Sequence, residues 1–514
     1  MTHLFRFLIA TIVCIAIVSC KDNQPGPMEQ ADIISDLSIV ETQDSESTKP
    51  AIITGHIKNR DRYPDEKVMR ITIPFYGRVP YVTLISPIWS DDTFSFQFFP
   101  YATRQISMPP YADEIIISPG DSIHYEIDFA DLLSVSCSGN GAENNRKLTI
   151  FHNKYYLKNW HWFNNGSGYG DETLQELLDT YEQLREGYRA QLEKFIRDEK
   201  PSKELEEFCR KEIETDYYMF VRFLSQCDWQ TDGDLTKVFN VKELEPLLDE
   251  DYMNGNIYQL AHDVSNWLGF LLHEKNGEYE STDDWTQDFL KFIYKATDKK
   301  STMRQLLVSN YFNMLLEYND IDCFEKFYHY FSESVTNPVL KLATRDRYID
   351  RKSFNENPEV VSDAILYADK PKDRGMASVT ENQGLKMLRD YLKQNEQKVV
   401  YVNVGAEWCR GCVEERPYQR ELADSLRNEP LKILNLLFSR NGYNDDVSYT
   451  SGGIIEDHIL TDDELLGLDP ILKLGNGIPY YLLIDKNGII VDYGMHLRPS
   501  DSKTRRRIEE LLNE

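Results

Sequence analysis

The sequence predicts a multidomain protein with an N-terminal β-sandwich, a central all-α helical region and a C-terminal α/β domain. Three observations predict it. Apolar and polar residues alternate with period two from about 50 to 140. Apolar residues recur at helical spacing from about 146 to 350. After about 398, nearly continuous apolar segments alternate with amphipathic ones. The length agrees, since 514 residues are too many for one core, and about 150 residues per domain gives about three domains. A hydrophobic content of 41%, with 12% aromatics and 31 Tyr, supplies sizeable cores and excludes global disorder. The net charge of −28 leaves no electrostatic footprint for nucleic acid.

Residues 1–20 form the first element. Phe7 to Val18 is an almost wholly apolar run behind Arg6, with no acidic residue. It is too short for a confident membrane span and has the length of a signal-peptide core. Ile17-Val18-Ser19-Cys20 resembles a bacterial lipobox, which implies a lipoprotein signal peptide and lipid attachment at Cys20. A plain signal peptide or an uncleaved anchor is the alternative. Either way the protein is expected in the cell envelope, with its body in the periplasm or at the cell surface. Residues 21–47 are polar and bear Pro, Gly, Gln and Asp, with a short apolar interruption at Ile33 to Ile39, and read as a flexible tether.

The sandwich is expected over 48–144. Ala51 to Ile57, Arg70 to Ile73, Thr93 to Phe99 and Glu114 to Ile117 alternate, and Ser118-Pro119-Gly120-Asp121 supplies a turn. The helical domain is expected over 145–352, with one stripe at Leu174, Leu177, Leu178, Tyr181 and Leu184. Others run through Phe289, Phe292 and Ile293 and through Phe312, Leu315 and Leu316. Trp160 and Trp162 can line a ligand groove, although such aromatics more often fill cores. Residues 353–397 are a junction broken by Pro358, Pro371 and Gly375, with a lead-in helix marked by Leu385, Leu388 and Leu392. Cys137, Cys209, Cys227 and Cys323 stand alone at wide spacings and read as buried small hydrophobes, a bridge between two of them remaining open.

The last domain, 398–514, carries the chemistry. Val399 to Val404 is a buried strand, Cys409 opens a helix to about Leu426, and Leu431 to Ser439 is a second strand. A mostly polar insertion, Arg440 to Thr461, follows. Thr461 and Glu464 have capping-box spacing before a helix to Leu474. Tyr480 to Asp485 and Ile489 to Tyr493 flank a Lys486-Asn487-Gly488 turn, a hairpin signal, and Ser502 to Leu512 is a final helix. The order βαβαββα is that of a thioredoxin fold. Cys409-Arg410-Gly411-Cys412 is the single close cysteine pair. Two Cys at i and i+3 in a first helical turn can reach a disulfide's Cα separation of ~5.5 Å. Unpaired N–H groups and the helix dipole there favour a thiolate, and Arg410 adds positive charge. Cys409 is therefore the expected nucleophile and Cys412 the resolving thiol. A structural zinc site needs about four ligands, usually from a second such pair, and an inert disulfide is the other competing reading. No metal, haem, flavin or nicotinamide site is indicated, so no cofactor is expected.

Trp408-Cys409-Arg410-Gly411-Cys412, Glu414-Glu415 and Pro417, with Gly477-Ile478-Pro479 and Leu482 to Gly488, resemble the TlpA/ResA-like thiol–disulfide oxidoreductases over about 365–514. Ile117 to Ser122 and Ser138 to Asn144 more weakly resemble the β-rich domain ahead of such modules in envelope lipoproteins. The resemblance implies that Pro479 is cis and faces the cysteine pair. It implies that Trp408, Ile478 and Pro479 contact substrate, the Ile478 backbone by strand addition. It further implies that Glu415 assists proton transfer at Cys412, although a solvated helix face would place an acid there equally well. The chain departs from the pattern at Gly405, Glu407 and Tyr480 and in the Arg440–Thr461 insertion, which bears on partner choice.

The function expected is a protein-disulfide oxidoreductase acting on protein thiols and disulfides of the envelope. In related proteins the direction is often reductive, fed by a membrane electron-donor protein and serving cytochrome maturation or repair of wrong disulfides. The other expectation is an envelope binding or scaffold lipoprotein in which the redox domain is accessory. The front 350 or so residues are too much chain for a spacer, and the helical part, by its size and aromatic content, suits substrate presentation or dimerisation.

Overall fold

The computed structural model describes residues 30–38, 49–64, 66–74, 81–100, 103–109, 112–156, 174–226, 264–265, 268–269, 272, 279, 281–359, 362, 383–407, 409–438, 453–461, 464–465, 468 and 478–514. Residues 1–20 with Cys20, and Trp160, Trp162, Cys227 and Trp408, lie outside them. The chain is multidomain. Among the described residues no helix is long and apolar enough to cross a membrane.

Ala51–Lys58 (β1), Thr93–Phe98 (β4), Ser122–Asp128 (β7) and Asp131–Asn140 (β8) form one sheet in the order β4-β1-β7-β8. Val68–Pro74 (β2), Tyr81–Pro87 (β3), Arg104–Met108 (β5) and Ala112–Ile117 (β6) form a second, β3-β2-β5-β6. The alternation places Ala51, Ile53, Phe94, Phe96, Ile123 and Tyr125 of the first sheet against Ile71, Ile73, Ile106, Ile115 and Ile117 of the second.

Strand β6 is an edge, and two devices cover it. The Asn145 side chain accepts from Ile116 N and donates to Ile116 O, both at 2.8 Å, as a neighbouring strand would. Asn145 lies on Ala142–Ile150 (α2), which runs on as a π-helical turn, Phe151–Tyr155. With Leu174–Glu199 (α3) and Lys203–Gln226 (α4), these segments bury Ile116 beneath Leu148, Phe151, Phe195 and Phe208.

A second helical group contains Thr282–Ala296 (α5), Thr302–Glu317 (α6), Ile321–Ser334 (α7) and Pro338–Glu356 (α8). Ser281, Ser301, Asp320 and Asn337 cap them, each accepting from a backbone N–H of the first turn. Their core includes Phe289, Ile293, Phe312, Leu315 and Leu316. Of the first predicted stripe, Tyr181 is buried and Leu184 half-buried; the side chains of Leu174, Leu177 and Leu178 lie outside the described set. Cys209 and Cys323 are buried and unbridged, and Cys137 is half-buried and unbridged.

One expectation is corrected here. Within the segment read as a flexible tether, Gln30–Ser38 (α1) is a helix whose Ile33 and Leu37 are fully buried in the α5–α8 core. Asp36 accepts from Tyr328 Oη at 2.8 Å and Lys341 Nζ at 2.9 Å. The apolar interruption at Ile33 to Ile39 is too short to have helical stability of its own and gains it by docking.

The last domain has a five-stranded sheet in the order β11-β10-β9-β12-β13: Val399–Ala406 (β9), Leu431–Phe438 (β10), Ile455–Leu460 (β11), Tyr480–Ile484 (β12) and Ile490–Tyr493 (β13). Both β10 and β11 run parallel to β9, and β12 is antiparallel to it. Gln383–Gln394 (α9) covers one face. Arg410–Ser425 (α10) and Ser502–Asn513 (α11) cover the other. Strand β11 corrects the reading of 440–461 as a polar insertion. An edge strand keeps one side wet, so Glu456, Asp457 and His458 fit it and masked its period.

Candidate active site

Strand β9 ends at Ala406 and delivers Cys409 to the N-cap of α10. Cys409 and Cys412 are disulfide-bonded, with Cα atoms 5.2 Å apart. Cys409 Sγ accepts from Cys412 N at 3.2 Å, so the sulfur occupies the place of a capping oxygen and receives one of the helix's unpaired N–H groups. The two cysteines are 9% and 6% exposed, a smaller contrast than the nucleophile-and-resolver reading anticipates. Arg410 is swung into solvent and its Nε donates to Glu414 at 2.7 Å, which offsets the charge expected to favour the thiolate. Glu407 is half-buried and pairs with Arg416 at 3.9 Å, on α10 rather than on the cysteines.

The Ile478–Pro479 peptide is cis. Cys409 Sγ lies 3.6 Å from Ile478 O, and Ile478 packs against the pair together with Ala406 and Phe438. Gly411 allows the close approach of Pro479, whose Cδ would lie 3.4 Å from any Cβ at that position. The structure thus brings Cys409, Cys412, Ile478 and Pro479 together, while Trp408 is outside the described residues. Glu415 lies one turn beyond Cys412 on α10. Its carboxylate accepts from Ser500 N at 3.0 Å and Ser500 Oγ at 2.8 Å. Beneath it, Tyr401 and Tyr481 stack with centroids 5.7 Å apart. Burial first, then the mutual field of the phenols and Glu415, holds Tyr401 well above the usual phenol range.

Sequence reasoning missed a row of polar side chains behind Cys412. Asn403, Asn435 and Asp457 are direct cross-strand partners on β9, β10 and β11. Asn403 Nδ2 donates to Asn435 Oδ1 at 3.1 Å, Gln419 Nε2 of α10 donates to the same oxygen at 2.8 Å, and Asn435 Nδ2 donates to Asp457 Oδ1 at 2.6 Å. Asn403 Oδ1 is buried with no hydrogen-bond partner among the described residues. It lies 4.0 Å from the point where a Cβ on Gly405 would stand, and Cys412 Sγ is 3.2 Å from that point. A side chain at position 405 would crowd Cys412 Sγ, so Gly405 leaves room for the sulfur. The signal was present: Asn403 and Asn435 each interrupt an otherwise apolar buried strand, where a polar residue needs a partner.

No family model matches the chain, and no curated protein matches it. Similar solved structures are thiol–disulfide oxidoreductases of the thioredoxin family. A Bacteroides vulgatus protein described as a thiol-disulfide oxidoreductase is 28% identical, with 24% of this chain and 78% of that one covered and a TM-score of 0.21. A thiol:disulfide interchange protein of the thioredoxin family from Chlorobium tepidum is 19% identical, with 24% and 84% covered and a TM-score of 0.21. A thiol:disulfide interchange protein from Bacteroides sp. is 22% identical, with 24% and 78% covered and a TM-score of 0.19. These similarities concern about a quarter of the chain.

Proposed function

We propose that the protein is a thiol–disulfide oxidoreductase of the cell envelope, lipid-anchored through Cys20, that reduces disulfides of protein substrates. The observation that carries it is the Cys409–Cys412 pair at a helix N-terminus, with its outer sulfur 3.6 Å from the carbonyl preceding a cis-proline. In the reduced enzyme the Cys409 thiolate attacks one sulfur of a substrate disulfide. The other substrate sulfur leaves as a thiolate and takes up a proton, and a mixed disulfide remains. The Cys412 thiol gives up its proton and attacks Cys409 Sγ, releasing the second substrate thiol. The enzyme is left in the Cys409–Cys412 disulfide form, and the dithiol of a membrane electron-donor protein returns it to the reduced state. The Ile478 backbone would pair with an extended substrate strand. Glu415 would act through the field it sets beside α10.

The test is the reduction potential of the pair, by dithiothreitol equilibration of the full-length protein in detergent, with Cys409→Ser as control. A reductase should give about −250 mV or lower. A value near about −120 mV would make the protein an oxidant of secreted thiols, and a pair that forms no disulfide would refute the enzymatic reading.

A further inference from the structure

Outside the redox domain, three donors from three elements converge between the sandwich and its helices. Glu114 projects from β6 on the face that also carries Ile116, His152 stands on the π-helical turn after α2, and Glu212 lies on α4. His152 Nε2 is 2.7 Å from Glu114 Oε2 and 3.0 Å and 3.2 Å from the two oxygens of Glu212. One donor atom from each residue lies within 4.8 Å of the others. The side chains are 18%, 13% and 0% exposed for His152, Glu114 and Glu212.

We infer that Glu114, His152 and Glu212 form a binding site for a first-row divalent transition ion of the Zn2+ type, joining the sandwich to the helices. This inference does not depend on the redox reading. Two physical points carry it. One imidazole and two carboxylates, ligand types that Zn2+ takes together, are brought from three separate elements to one largely buried place, and a small spreading from their hydrogen-bond spacing would seat an ion about 2.0–2.2 Å from each. A π-helical turn is a rare conformation that recurs at functional sites, and here it is the turn that aims His152 at the two acids. One nitrogen and carboxylate oxygens suit Zn2+ and its neighbours in the series, with a water completing the tetrahedron. The sequence reading indicated no metal because the ligands are 38 and 60 residues apart in the chain (114 to 152 and 152 to 212) and share no motif spacing.

The test uses the full-length protein in detergent, stripped with chelator and with Cys409–Cys412 kept oxidised so that the pair cannot bind metal. Zn2+ is then titrated at pH 8, and bound metal is measured by mass spectrometry after desalting. About one ion per chain is expected, and Glu114→Gln and Glu212→Gln should each weaken binding at least tenfold. Zn2+ at about a hundred times its dissociation constant should raise the melting temperature of the wild type by roughly 5 °C and leave the Gln variants unmoved. Co2+ in place of Zn2+ should give visible tetrahedral absorption. If Glu212→Gln does not fold by circular dichroism, the Glu114→Gln comparison and the wild-type Co2+ spectrum decide. If wild type binds no more metal than the variants, and Zn2+ leaves its melting unchanged, the cluster is a buried ion pair and the inference fails.

Discussion

Cys412→Ser is expected to accumulate a covalent adduct between Cys409 and protein substrates, and Cys409→Ser to lose exchange by at least about three orders of magnitude. The asymmetry follows from position. Cys409 is the N-cap sulfur and receives the Cys412 N–H, so the stabilisation available to a thiolate in the first turn is directed at Cys409. Cys412 lies within the turn, against Gly405. With Ser at 412 the first attack proceeds, but no second thiol resolves the mixed disulfide. Non-reducing electrophoresis of the full-length variant, incubated with an oxidised protein substrate, reads the result: a high-mass band that dithiothreitol removes. Equal adduct formation by Cys409→Ser would reverse the roles of the two sulfurs. Loss of adduct from both variants would remove the exchange mechanism.

Arg351→Ala is expected to uncouple the redox domain from the helices at a cost of about 3 kcal/mol. Arg351 projects from α8 onto β13 and is almost fully buried. Its Nη2 donates to Tyr493 O at 3.0 Å and to Glu317 O at 3.3 Å, and its guanidinium lies 3.8 Å from the centroid of the Tyr493 ring. Phe354, one turn on, meets the same ring edge-on at 4.7 Å. Truncation leaves two buried carbonyls without their donor and removes the cation–π contact together. Lys keeps N–H donors for the carbonyls but lacks the planar guanidinium that lies over the Tyr493 ring, so Arg351→Lys should recover only part of the loss. Hydrogen exchange at β13 and α8 is the direct measurement. Unchanged protection in Arg351→Ala would mean that the two units are held together elsewhere.

Where a segment's own pattern decided its structure, it was legible. Ala51–Lys58 alternates in sequence and alternates in burial, since one side faces the sandwich core. The Thr461–Glu464 capping box forms in both directions, Glu464 N donating to Thr461 Oγ1 at 3.2 Å and Thr461 N to Glu464 Oε2 at 2.9 Å. Gly488 adopts φ 82° in the Asn-Gly turn, a conformation that β-carbon-bearing residues rarely take. The cysteine pair was legible because i, i+3 spacing is enough to define its geometry. What was not legible depended on distant partners. The α1 helix exists by virtue of a core some 270 residues further on. Strand β11 is set by pairing with β10, not by its charged sequence. The Asn403–Asn435–Asp457 row is created by register between three strands, and register is invisible in any one of them.

The docking of α1 also limits where the protein can work. On the lipid-anchored reading, only residues 21–29 separate Cys20 from Gln30, where the chain joins the folded body. Ten peptide steps at ~3.5 Å each span no more than about 35 Å, even fully stretched. The body would therefore stay close to the bilayer, and its freedom would be rotation about a near attachment point instead of travel across the compartment. Substrates and the electron donor would have to present their sulfurs within one molecular diameter of the membrane, and lengthening 21–29 would widen that zone without altering the chemistry of Cys409.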